Sequence, residues 1–204
     1  IGIARHLYTL AGSVEGDGRT EDDFAMTRSE RAFTNALLVE QPNTDFGYLT
    51  VRQFFFDAYQ VPLWRRLATS PNDDLAGIAG KGLKEATYHL RRSSSWIVRL
   101  GDGTHESHAR VQGSIDRLWR FTAELCTSDD VERTLADEGI ITLSSDLRGD
   151  WERTVDAVLE EATLTRPEDT YQAGTGRFGV HTEYLGHLLA DMQWMQRSHP
   201  GLTW

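Results

Sequence analysis

Between Asp74 and Cys126 the apolar residues recur at three- and four-residue steps. Leu75, Ile78, Ala79, Leu83, Ala86, Leu90, Ile97 and Leu100 form one stripe, and Val111, Ile115, Leu118, Phe121, Thr122 and Leu125 form a second. This is the period of a helix with one face turned to a core. The break Gly101-Asp102-Gly103 divides the two stripes. It predicts antiparallel helices with their apolar faces together. Gly101 is expected to supply a left-handed C-cap and Thr104 a hydroxyl N-cap for the second helix. Folding the hairpin about Asp102 and Gly103 sets Glu85 near Trp119 and His89 near Asp116, to within about one helical turn.

The remaining pattern is also helical. Ile3, Leu7, Leu10 and Ala11 read as the tail of a helix that breaks at Gly12 and runs into the polar stretch Ser13 to Asp23. Phe24 to Leu38 is read as a short helix, stopped by the turn Gln41-Pro42-Asn43. From Tyr48 to Ala68 apolar residues surround the helix, among them Phe54, Phe55, Tyr59 and Trp64, which predicts a buried central helix. Pro62 is expected to kink it, at a cost of about 3 kcal/mol in an exposed helix that packing must offset. Ser70-Pro71-Asn72-Asp73 closes that helix and caps the hairpin. Thr127 to Gly139 predicts one short helix, and Ile140 to Leu143 is β-prone but alone, and one strand makes no sheet. Trp151, Val155, Val158, Leu159 and Ala162 mark a further amphipathic helix, ended near Arg166-Pro167. The last helix is placed at His181 to Ser198, with Leu185, Leu188, Leu189, Met192 and Met195 facing inward. The fold class is therefore all-α, a helical bundle in a single domain over residues 1–204, without repeats.

Composition narrows the function. The balance of 21 basic against 31 acidic residues, net −10, argues against a nucleic-acid surface, and Arg91-Arg92 is too short a run to overturn it. The lone Cys126 can form no internal disulfide, and no segment approaches the roughly 18 apolar residues of a membrane span. A cytoplasmic location follows as the expectation. The chain opens inside a helical pattern with neither an initiator Met nor a leader, so its N-terminal helix region is expected to be missing.

Glu85 and His89 lie four apart on one helix, and Glu183 and His187 repeat the spacing. Ferritin-like di-iron proteins use Glu-x-x-His, three apart, on two helices, with a further carboxylate from each of the others. The spacing here is one residue too long, and an i, i+4 pair reads first as a surface hydrogen bond. Asp116 stands where an iron site wants a carboxylate, but Trp119 occupies the histidine position; Asp57 is followed likewise by Gln60. Neither Trp nor Gln supplies a neutral nitrogen donor. Asp57, Gln60, Glu85, His89, Asp116 and Trp119 are therefore read as a vestigial di-iron pattern, with no metal, catalytic or cofactor-binding residue in this chain. His105-Glu106-Ser107-His108 is a zinc-protease motif with one residue missing and is read as a capped helix start. Gly174-Thr175-Gly176-Arg177-Phe178-Gly179 has dinucleotide-loop spacing but no strand before it. It is read as a flexible connector, with anion binding by Arg177 as a minor option. No nucleophile motif is present.

Three stretches resemble one family: Leu38 to Asn43 with Arg52-Gln53-Phe54; Lys84 to Ser94, continued through Arg99 to Thr104; and Gly179 to Gln193. They are similar to the PaaC family, structural subunits of phenylacetyl-CoA epoxidase complexes. The resemblance implies a ferritin-like fold and a subunit that pairs with the catalytic, di-iron-bearing PaaA and other epoxidase subunits rather than doing chemistry itself. It also implies a reductase, NADPH and oxygen acting on the ring of phenylacetyl-CoA, with the di-iron centre in the catalytic partner and no cofactor in this chain. Family members carry Glu and His where this chain has His105 and Gln60, and both departures weaken a metal role. The rival is an independent di-iron carboxylate oxygenase. The sequence leaves a homo-oligomer open, and neither nucleic acid nor membrane is expected as a partner.

Overall fold

A computed structural model describes residues 2–168 and 171–202. Its α-helices are α1 (Gly2–Glu15), α2 (Phe46–Leu67), α3 (Asp73–Gly101), α4 (His105–Leu118), α5 (Asp130–Asp137), α6 (Arg148–Glu161) and α7 (Glu183–Ser198). Short 3-10 and π turns connect them, and no strand occurs among the described residues. The molecule is an all-α bundle.

α2 is the centre. Phe54 and Phe55 are consecutive, about 100° apart around the helix, yet both are fully buried. A helix can bury two such positions only when neighbours flank it on several sides. α3, α4 and α6 do so, and Ile97, Ile115, Leu118, Val155 and Leu159 join the two phenylalanines in one core. Phe55, Trp119 and Trp151 cluster at ring distances of 5.6–5.9 Å, and the Trp151 indole N–H donates to the Phe55 carbonyl at 2.9 Å. Pro62 lies inside α2, buried, as the sequence places it. A smaller cluster joins Val61 and Trp64 of α2 to Ala79 and Ala86 of α3, with Ile3 and Leu7 of α1 over it.

The caps behave as local chemistry requires. Asp45 accepts from the Tyr48 N–H at the start of α2, and Asn72 accepts from Leu75 at the start of α3. Thr104 and Ser107 form a reciprocal capping box on α4, and Ser107 Oγ also donates to the Leu100 carbonyl at 2.7 Å. His108 Nδ1 sits 2.7 Å from the Gly101 carbonyl, so an N–H there satisfies an orphan acceptor at the end of α3. Glu106 pairs with Arg110. The His105 to His108 segment thus stitches the hairpin turn.

Several expectations are corrected. Gly101 is the last residue of α3, and its cap, Asp102, has φ −88° rather than a left-handed conformation. The glycine is needed for approach: a Cβ there would collide with the Ala162 carbonyl oxygen and lie 2.9 Å from the Ala162 methyl. α4 ends at Leu118, and two 3-10 turns, Trp119–Phe121 and Ala123–Cys126, carry the stripe onward. A straight helix would bury one face; these tighter turns bury Trp119, Thr122, Glu124, Leu125 and Cys126 together. Phe24 to Leu38 is not one helix but a π turn (Asp23–Thr27) and two 3-10 turns (Glu30–Ala32 and Leu37–Glu40).

On α7, Leu185 and Leu189 are buried, whereas Leu188, Met192 and Met195 are exposed rather than inward. The reason is its narrow support. α7 rests on the Asp23–Ala32 turns through one strip, where buried Gln193 donates from Nε2 to the Ala25 and Arg28 carbonyls at 3.0 Å each.

Candidate functional site

The α2–α3 pair sets the geometry of the predicted site. Gly82 lets α3 approach Trp64, whose ring would lie 2.9 Å from an added Cβ, and further along Ser93 meets Asp57. Asp57 is 1 % exposed; Gln53 Nε2 donates to its Oδ1 at 2.6 Å and Ser93 Oγ to its Oδ2 at 2.8 Å. Burial pushes the Asp57 carboxyl above its ordinary value, against the opposing pull of those two hydrogen bonds and of the nearby His89 and Arg92. A cavity of about 240 Å³ opens beside it, lined on its polar side by Thr50, Gln53, His89 and Arg92.

Of the six positions read as a di-iron pattern, only Asp57 and His89 share this cavity. Gln60 accepts from the Trp64 indole at 3.2 Å, and Glu85 is exposed on α3. Asp116 is exposed on α4 and accepts from Gln112, which also bridges to Thr165 in the segment after α6. Trp119 sits in the aromatic core. The expected interaction of His89 with Asp116 is therefore corrected, because no hydrogen bond or ion pair joins them among the described residues; Glu85 likewise faces solvent while Trp119 is buried in the core. The mirrored numbering fails because α3 takes its register from α2, at Asp57–Ser93 and Trp64–Gly82, rather than from α4. Among the described residues no three His, Cys, Asp or Glu side chains converge as metal ligands. Both Asp57 oxygens already accept hydrogen bonds, so the side chains present do not fit a two-metal centre, which needs carboxylates and imidazoles around one point.

Two buried carboxylates that sequence reasoning did not single out do a different job. Glu40, in the Leu37–Glu40 turn, accepts from the Thr182 N–H and hydroxyl at 2.8 Å each and from Asn35 Nδ2 at 2.8 Å. Its Oε1 also lies 2.6 Å from His181 Nδ1, while His181 Nε2 faces the Phe33 carbonyl at 2.8 Å. Glu124, 2 % exposed, accepts from the Leu37 N–H at 2.7 Å and the Arg177 N–H at 3.0 Å.

Arg177 is engaged by Asp129, at 3.1 Å, and by Glu132, which also accepts from Ser144. Burial alone would raise the Glu132 carboxyl, but the Ser144 hydrogen bonds and the Arg177 charge outweigh it and hold the group below its ordinary value. Gly176 packs against the Asn35 carbonyl, and Gly179 has φ +75°. The Gly174–Gly179 segment is consequently a pinned connector rather than a flexible one, and Arg177 is already neutralised rather than open to an anion. The local signals for this were weak. Nothing near Glu40 points to His181, 141 residues away, and nothing near Glu124 points to Leu37, 87 residues away.

Comparison with known proteins decides the family. The sequence profile described as "Phenylacetic acid catabolic protein" matches residues 1–204. The chain belongs to this family. A curated relative from Escherichia coli (strain K12), one of the subunits of 1,2-phenylacetyl-CoA epoxidase, is 47 % identical over 205 residues, which cover 100 % of this chain and 82 % of the relative. The family membership agrees with the all-α bundle. Among the described residues no helix is long and apolar enough to cross a membrane.

Proposed function

We propose that this chain is a non-catalytic structural subunit of a multicomponent phenylacetyl-CoA epoxidase in phenylacetate breakdown, working in the cytoplasm. In this reading the chain holds no metal. A catalytic subunit of the PaaA type, docked on it, carries the di-iron centre, and a reductase delivers electrons from NADPH. The observation that carries the reading is the dispersal of the iron-type positions. Trp119 is locked in the aromatic core, Asp116 and Glu85 face solvent, and Asp57 is held by Gln53 and Ser93. The similarity to a protein of the epoxidase supports the same pathway.

The test is reconstitution. The purified chain is combined with its catalytic partner and reductase, and NADPH-dependent epoxidation of phenylacetyl-CoA is followed with and without it. Turnover is expected only when the chain and the catalytic partner are both present. Full turnover in the absence of this chain overturns the structural role. Turnover by this chain with reductase alone establishes an independent di-iron oxygenase instead.

A further inference from the structure

The outer face of α3 is exposed, and of its cations only Arg92, at its edge, also lines the cavity beside Asp57. Lys81, Lys84, Tyr88, Arg91, Arg92 and Arg99 are all exposed, while Ala79, Gly82, Ala86, Ser93 and Ile97 are buried. At about 100° per residue the two sets fall on opposite sides of the helix, and the exposed set runs for roughly 27 Å. Five cations share this face with one carboxylate, Glu85, and Lys81 and Lys84 are the only lysines in the chain. None of the five makes an ion pair among the described residues, so the charge of this face is left uncompensated within the chain, unlike that of Arg133 and Arg177, which carboxylates engage. Arg91 lies over the Tyr88 ring at 5.7 Å, and Tyr88 is itself 56 % exposed.

Concentrating unpaired positive charge in this way costs self-repulsion, starting with the like-charged Lys81/Lys84 pair one turn apart. In a chain of net −10 it stands out against the field of the rest of the molecule. Shape and charge together select the ligand. Small-molecule sites are concave, and this is a helix ridge several turns long, more than the phosphates of one nucleotide can span. A nucleic acid would be repelled by the acidic remainder of the surface. A second copy docked by the same face about a two-fold axis would oppose cation to cation. An acidic protein face meets none of these objections.

We propose that the outer face of α3 is a docking surface for an acidic face of another subunit of the epoxidase, with Tyr88 as the apolar anchor near its centre. The proposal rests on the reading of this chain as a subunit. The cations steer encounter and set orientation, and Tyr88 with the aliphatic stems of its neighbours supplies the area removed from water.

The experiment measures association of the full chain with each other epoxidase subunit by surface plasmon resonance, at about 50 mM and about 500 mM salt, where the screening length differs severalfold. The variant carries Lys81→Glu, Lys84→Glu, Arg91→Glu and Arg99→Glu together. With one subunit its association rate is expected to fall more than about tenfold at low salt, and the deficit to shrink at high salt. Tyr88→Ala is expected to speed dissociation by about tenfold without altering the salt dependence. Circular dichroism checks that each variant is folded; if the fourfold variant is not, Lys84→Glu with Arg91→Glu replaces it. Unchanged association at both salts overturns the docking face while leaving the subunit reading intact. Loss of binding to coenzyme A by the free chain, with assembly of the complex unaffected, overturns it in favour of a nucleotide ligand. A wild-type chain that joins no epoxidase subunit at either salt overturns the subunit reading, and this face with it.

Discussion

Glu40 and His181 are 141 residues apart in the chain and meet at 2.6 Å with both side chains out of contact with solvent. Their pairing fastens the entry to α7 onto the Leu37–Glu40 turn, and Thr182 N–H and Oγ1 complete the shell around the carboxylate. Thr182 and Asn35 donate to the carboxylate, and the role of His181 Nδ1 follows the imidazole tautomer. Glu40→Gln keeps the volume but removes the charge, and its NH₂ faces Asn35 Nδ2 or the Thr182 N–H and hydroxyl, where a carboxylate oxygen accepted. A loss of about 2–3 kcal/mol is expected for Glu40→Gln, and a similar loss of about 2–3 kcal/mol for His181→Ala, which takes a partner from the buried carboxylate and from the Phe33 carbonyl. Urea unfolding measures both. A midpoint unchanged by either substitution would show that the pair does not hold α7.

Two glycines of α3 are expected to respond to alanine in opposite directions. Gly101 has the Ala162 carbonyl where its Cβ would go, so Gly101→Ala must push α3 away from the end of α6 and costs about 1–3 kcal/mol. Gly77 has open space around the same position and lies inside the helix, so Gly77→Ala raises stability by about 0.5–1 kcal/mol through helix propensity alone. Thermal unfolding of the two single variants decides it, and a gain for Gly101→Ala would remove the close-approach account of that residue.

What could be read from the sequence was whatever is local. The stripe of α3, that of α4 as far as Leu118, the all-round apolar surface of α2, and the caps at Asn72 and Thr104 each depend on residues within about one or two turns, and each is where it was expected. The failures are long-range. Phe24 to Leu38 breaks into turns because its partners are Glu124, His181 and Gln193, far along the chain. Gly101 serves a contact with Ala162 that no helix-ending rule can foresee. Hairpin numbering matches His89 to the wrong helix because it ignores α2, which joins α3 through Ser93 and Gly82. Periodicity shows that a face is buried without naming what buries it.

Iron loading probes the candidate site directly. Since Glu85 and Asp116 are exposed and Trp119 is enclosed by Phe55 and Trp151, the purified chain is expected to bind well under one iron per chain after anaerobic incubation with ferrous salt. His89→Ala should then leave the residual iron content unchanged. Elemental analysis gives the number. About two irons per chain, lost in the His89→Ala variant, would mean that the side chains rearrange around Asp57 to form a centre.

Asp57 carries the last prediction, because its carboxyl is the one at the mouth of a cavity with its titration raised by burial. The native state keeps this proton to a higher pH than the unfolded chain, whose carboxyl titrates near its ordinary 3.8. Native protein therefore binds more protons across the window between the two values, and stability falls as pH rises through it. Asp57→Asn has nothing to titrate, so it removes that loss. Its amide can still accept from Gln53 on one side and donate to Ser93 Oγ on the other, because Ser93 can redirect its own hydrogen to the His89 carbonyl, 3.0 Å away. Wild type and Asp57→Asn are compared by urea unfolding at about pH 4, 5, 6 and 7. The variant is expected to gain on wild type as pH rises over this range, with the gain levelling off above the native titration. Parallel curves would mean that Asp57 titrates alike in both states, and that the hydrogen bonds from Gln53 and Ser93 cancel the cost of its burial.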